Sequence, residues 1–185
     1  MRCASRCRGM LAGMATRPDR DEAAPYYFTY IDQVGDGDIR DLLDAQGAET
    51  LALLSTIGDE QSRHRYAPDK WTIREVVGHL NDTERLFVFR ALWFARGFDS
   101  PLPSFDQHVA VASSGAQQRS WESHIDEYRA LRAATSSFFR HLPADAWSRR
   151  GVASDNPFSV RALAYLAVGH VSHHVKILKE RYLQG

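Results

Sequence analysis

The sequence predicts an all-α protein, a four-helix bundle. Three observations carry that expectation. Four long segments repeat apolar residues at intervals of three and four, helix caps and stops bracket those segments, and neither a period-two strand nor an internal repeat interrupts them. The 185 residues suit a single domain. A chain of this length buries about 70% of its unfolded surface, enough for a sizeable core.

A polar N-terminus leads to a small apolar patch, Tyr26 to Ile31, after which the first helix is expected over Asp38 to Ile57. It carries Ile39, Leu42, Leu43, Leu51 and Leu54 and stops at Gly58. Pro68 ends a polar link, and Thr72-Ile73-Arg74-Glu75 then forms a capping box that opens the second helix. Its stripe of Val76, Leu80, Phe87, Ala91, Phe94 and Ala95 runs to Gly97. Residues Phe98 to Gln118 contain Pro101, Pro103, Gly115 and several serines, so a long loop is expected, and long loops in compact domains are often functional. The third helix spans Ser120 to His141, with Ile125, Tyr128, Leu131, Phe138 and Leu142 inward, and Pro143 closes it. After a turn through Ala146 and Trp147, Ser159 caps the fourth helix, which carries Val160, Leu163, Leu166, Ala167, Val171, Ile177 and Leu178.

Composition excludes several classes of function. With 44% hydrophobic and 25% charged residues the chain is not of the disordered type, and 23 basic residues against 23 acidic leave no positive field to collect phosphates. Nucleic acid is therefore not the expected partner. Apolar stretches such as Leu86 to Ala95 are far shorter than the roughly 20 residues of a membrane span, so no membrane partner is expected either. Both cysteines, Cys3 and Cys7, lie in the first ten residues. The fold has no disulfide framework, which suits a reducing compartment, the cytoplasm. Residues 1–20 are expected to be a disordered tail, or in part sequence upstream of a start at Met10 or Met14, with the bundle domain over residues 26–183. Removing Met1 to Gly13, which holds three arginines and no acid, leaves 20 basic against 23 acidic residues.

The strongest local signal is histidine. Of eight, three crowd into Gly169-His170-Val171-Ser172-His173-His174 on the fourth helix. His170 and His174 are four residues apart on one helix face, roughly 5 to 6 Å apart at Cβ, a spacing that can grip one metal ion. Leu163, Ala167 and Ile177 share that face, so both imidazoles are expected to point inward. A third nitrogen can come from His79, which falls on the stripe Val76, His79, Thr83 and Leu86 of the second helix. Three histidines leave a four-coordinate metal one open position, the arrangement of a catalytic site. Zinc, nickel and ferrous iron all accept such ligands. His173 can replace either neighbour or orient one. His64, His124 and His141 are expected on the surface or in loops, as is His108, although the long loop that carries His108 can fold over the site.

The second-helix stretch Lys70-Trp71-Thr72-Ile73-Arg74-Glu75-Val76-Val77-Gly78-His79-Leu80-Asn81-Asp82-Thr83-Glu84-Arg85 resembles the second-helix motif of the DinB and YfiT-like metalloenzymes. Pro101-Leu102-Pro103-Ser104-Phe105-Asp106-Gln107 and Gly169 to Leu178 match that family as well, so the resemblance covers about residues 26–183 through three motifs in order. It implies a four-helix bundle of the DinB/YfiT-like type in which His79, His170 and His174 bind a divalent metal. One departure is visible: His108 stands where similar members often carry an acid.

Relatives of this kind include transferases and isomerases that use a low-molecular-weight thiol such as bacillithiol or mycothiol, and a metal-binding domain of ergothioneine synthases. The resemblance therefore implies thiol transfer to a small-molecule substrate. A divalent cation at an open coordination position favours thiolate over thiol, so the protein needs no cysteine of its own. The alternatives are metal-assisted hydrolysis, with Asp82, Glu84 or Asp106 handling the proton, and metal-dependent ligand capture without turnover. Arg74, Arg85 and Arg90 can recognise a substrate carboxylate, although each is read first as an arginine of a solvated face or an ion pair. Trp71 and Phe105 are read as packing residues. Association as a homodimer is compatible with all of these readings.

Overall fold

The computed structural model describes residues 16–184. Its α-helices, in chain order, are α1 (Phe28–Ile31), α2 (Ile39–Ser55), α3 (Ile73–Ala95), α4 (Gln107–Ser113), α5 (Trp121–Arg140) and α6 (Val160–Ile177). The four long ones, α2, α3, α5 and α6, form the bundle, with α3 against α6 and α5, and α2 against α5 and α6. The predicted caps are present. Thr72 accepts from the Glu75 amide while Glu75 Oε2 accepts from the Thr72 amide at 2.7 Å, and Ser159 Oγ accepts from Ala162 N at 2.9 Å. Among the described residues, no helix is long and apolar enough to cross a membrane.

Two apolar clusters fill the interior. One gathers Phe87, Ala91 and Phe94 of α3 with Leu163 to Val168 of α6 and with Phe139, Trp147 and Phe158. The other gathers Val76, Val77 and Leu80 of α3 with Val171 of α6, Tyr128 of α5 and Leu178. Along α3 the break between them falls at His79 and Thr83, and along α6 at His170. The polar residues interrupt the core at the level where the two clusters meet.

Four expectations need correction. Regular strand does occur: β1 (Arg150–Ala153) and β2 (Asn156–Ser159) form an antiparallel hairpin, paired Arg150↔Ser159 through Ala153↔Asn156. Its turn residues Ser154 and Asp155 both have positive φ, 53° and 58°, a left-handed pair built without glycine. The long loop is not wholly irregular, since it folds into α4 and a 3-10 turn, Ala116–Gln118. The expected tail also ends earlier. Arg17 donates to the carbonyls of Ile31 and Val34, Arg20 pairs with Asp32 at 3.0 Å, and buried Glu22 accepts from Ser159 Oγ at 2.6 Å. Residues 16–25 therefore belong to the fold, while residues 1–15 lie outside the described residues. His124, expected at the surface, is 0% exposed on α5, where its Nε2 meets the Ala116 carbonyl at 3.0 Å.

Gly169 positions the N-terminal segment. A Cβ there would lie 2.2 Å from the Tyr30 carbonyl oxygen, so only glycine lets α1 sit directly on α6. That contact brings the Tyr30 ring within 5.4 Å of the His170 ring and 5.2 Å of the His173 ring. At the far end of α6 the chain widens into a π turn, Leu178–Tyr182, and Tyr182 Oη donates to the Trp71 carbonyl at 2.7 Å.

Candidate metal centre

His79 of α3 and His170 and His174 of α6 converge. The Nε2 atoms of His79 and His170 are 3.2 Å apart, and the ring centroids of His79–His174 and His170–His174 are 5.0 and 4.6 Å apart. One candidate ligand atom from each lies within 4.8 Å of the others. Two nitrogens held by one ion at about 2.0–2.1 Å in a tetrahedral shell stand roughly 3.3 Å apart. The His79–His170 spacing fits such an ion. His79 and His170 are 2% and 6% exposed, and His174 is half-buried beside a cavity of about 280 Å³ that Trp71, His108 and Tyr182 also line.

Burial is the main force on their protonation. It holds His79 down to about 4, with the charge of His108 adding to the effect. It holds His174 down to about 3, assisted by His79 and His173, and it pushes His170 well below the ordinary histidine range, assisted by His174, His79 and His173. All three rings are neutral at neutral pH, the state a metal ligand requires. Thr83 selects the tautomer. Its hydroxyl donates to the His79 carbonyl at 2.7 Å, so toward His170 Nδ1, 3.3 Å away, it can only accept. The His170 proton then sits on Nδ1, and the Nε2 lone pair faces His79.

Sequence-profile comparison matches residues 42–178 to the DinB superfamily, a span that includes all three histidines. The chain belongs to the DinB superfamily. Among curated proteins no significant match is found. The fold of this DinB-superfamily chain is similar to that of YfiT from Bacillus subtilis, described as a probable metal-dependent hydrolase with an unusual four-helix bundle topology. The two superpose with a TM-score of 0.70 at 16% identity, over 93% of this chain and 95% of that one.

In this DinB-type bundle the nominated acids separate. Glu84 is buried on another face of α3 and pairs with Arg132 of α5 at 2.8 Å, away from the histidines. Asp82 faces Arg85, Arg119 and Glu127 beside His124, and burial raises its pKa. Asp106 alone of the three shares a pocket with the histidines. It caps α4 through Oδ1, which accepts from His108 N at 2.8 Å, and it lines a pocket of about 350 Å³ with His79 and His170. Thr83, Arg90 and Tyr30 share that pocket.

The remaining candidates also sort by contact. Arg74 is fully buried but structural, donating to Ser62 Oγ, the Arg119 carbonyl and Asp59. Arg85 pairs with Glu127 at 2.6 Å on the surface. His173 packs edge-on against Tyr30 and His174 and stands outside the three-histidine group. His108 is exposed, with its ring 5.7 Å from Trp71. Trp71 covers His79 at 5.0 Å, in keeping with a packing role, whereas Phe105 is exposed at the pocket wall instead of packed. Tyr30 and Ser154 come to the site from segments that carried no chemical signal. Only the aromatic density of Tyr26, Tyr27 and Tyr30 marked the first of them.

Proposed function

We propose that the protein is a divalent-metal enzyme of the hydrolase type, with His79, His170 and His174 as the ligands and a small molecule as substrate. The observation that carries this reading is the convergence of three neutral imidazoles on one point beside a pocket. The description of YfiT as a probable metal-dependent hydrolase supports it. A divalent ion held there supplies Lewis acidity and favours the ionised form of a water or thiol near neutral pH. The chain supplies the rest. Thr83 fixes the His170 ring, Trp71 and Tyr30 keep water from the flanks of the imidazoles, and Asp106, whose Oδ1 is occupied by the α4 amides, offers Oδ2 to receive a proton.

Transfer of a low-molecular-weight thiol is the second reading. It is favoured by the scarcity of bases, since Asp106 is the one acid among the described residues lining the pocket, and it is exposed. A thiol of pKa about 8.5 ionises with less help than water does. The test compares wild type with His79→Ala, His170→Ala and His174→Ala for metal content after dialysis and for turnover. About one divalent ion per wild-type chain and less in each variant is expected. Ester or amide hydrolysis without thiol supports the first reading, and addition of bacillithiol or mycothiol to an electrophile supports the second. Tight ligand capture with neither activity would leave a binding protein, and equal metal content in all four proteins would remove the centre.

A further inference from the structure

Arg90 is 3% exposed, and among the described residues no carboxylate stands within ion-pair distance of it. Its Nη2 donates to the Pro103 carbonyl at 3.2 Å and to Ser154 Oγ at 2.8 Å, while its buried Nε has no partner. A guanidinium removed from water without a counter-charge is destabilising, and a bound anion would relieve that cost. Here three segments hold it in place: α3, the loop before α4 and the tip of the hairpin. The loop is itself tied to that tip, with Leu102 N donating to the Val152 carbonyl at 2.9 Å and Ser154 N to the Leu102 carbonyl at 3.1 Å. Arg90 lines the same pocket as His79 and His170.

We propose that this pocket takes an elongated small molecule bearing one carboxylate, and that Arg90 binds that carboxylate while the molecule's other end lies at the histidines. Arg90 is the only basic residue besides the two neutral imidazoles among those lining the pocket, and Asp106 adds a negative charge. A lining with one guanidinium and one separate acid suits a monoanion and disfavours a phosphate dianion. The eleven steps from His79 to Arg90 span about 16 Å of helix, and an arginine side chain leans back toward the helix N-terminus. The anion end and the histidine end are thus separated along the pocket, with Leu86, Phe87 and Phe105 as the apolar wall between them. Only the orientation of the molecule rests on the proposed metal centre.

The test uses the full chain freed of metal with a chelator, so that no carboxylate binds through an ion. Straight-chain carboxylates from butanoate to octanoate, and their primary amides, are titrated by calorimetry into wild type and Arg90→Met. One saturable carboxylate per chain is expected, with the amide and the variant each weaker by at least about tenfold, the weight of one charge-assisted pair. The unliganded variant should melt no lower than wild type, because a buried unpaired charge has been removed. Equal binding of carboxylate and amide by wild type, no saturable binding of either, or undiminished carboxylate binding by Arg90→Met would overturn the assignment. Should Arg90→Met not fold, the carboxylate-to-amide ratio of wild type decides. Failure here leaves the metal-content result standing, and failure there leaves this one.

Discussion

Thr83 and His170 lie on different helices, 87 residues apart in sequence, yet the Thr83 hydroxyl meets His170 Nδ1 at 3.3 Å. Because that hydroxyl already donates to the backbone carbonyl of His79, it can only accept from the His170 ring, and so fixes the tautomer of His170. Thr83→Val keeps the shape and removes the oxygen. Metal affinity, measured by competition with a chromophoric chelator, is expected to fall by about 10- to 100-fold. Stability should drop by only about 1 kcal/mol. Unchanged affinity would show that the ring is oriented by packing alone.

The pH response of the metal-free protein follows from the buried imidazoles. His79 and His174 are held at about 4 and about 3, below the unfolded value of about 6.5. The unfolded chain therefore binds more protons than the folded one once pH drops below about 6.5. Stability is full above that value and is lost as pH falls toward about 4, by up to about 1.4 kcal/mol per pH unit for each histidine. Urea titrations from pH 7.5 to 4.5 should show this slope, and His174→Gln should flatten it. A metal-free protein as stable at pH 5 as at pH 7 would contradict the burial described.

Glu84 and Arg132 form an ion pair with both side chains almost wholly buried. Glu84→Ala leaves the arginine uncompensated and is expected to cost about 3–5 kcal/mol. Metal content per folded molecule should stay that of wild type, because neither residue touches the histidines. The pair Glu84→Leu with Arg132→Met should recover most of the loss. Loss of metal at undiminished stability would return Glu84 to the list of reactive acids.

Gly169→Ala would push a methyl into the Tyr30 carbonyl. The obstacle is backbone, so α1 must lift from α6, at about 1–3 kcal/mol. Denaturant titration reads the energy. Tyr30 leaves the His170 ring at the same time, and near-ultraviolet circular dichroism of the tyrosines should change with it. A variant matching wild type in both would mean that the segment shifts freely.

The bundle and its three histidines are legible in the sequence because local spacing encodes them. Thr72 and Glu75 announce α3 within four residues, and His170 and His174 share a face by helical period alone. What escapes is set by long-range contact. His124 reads as a surface residue until the Ala116 carbonyl and the open flank at Gly78 come to it. Glu84 looks like a free acid because Arg132 lies 48 residues away. The hairpin has strands of four residues, one containing Pro157, too short for an alternating pattern, and its left-handed turn uses Ser154 and Asp155 where glycine would have flagged it.

The two ends of the pocket are made of different material. The histidine end is built from α3 and α6, whose flanking residues are the core itself, so nearly any change there is paid in stability. The other wall comes from the loop around Pro103 to Asp106 and from the tip at Ser154, held to each other by backbone bonds and largely outside both apolar clusters. Sequence drift in those short segments reshapes what the cavity admits while leaving the bundle intact. A substitution at Pro103 or Ser154 can therefore alter the shape of the cavity while both apolar clusters keep their members.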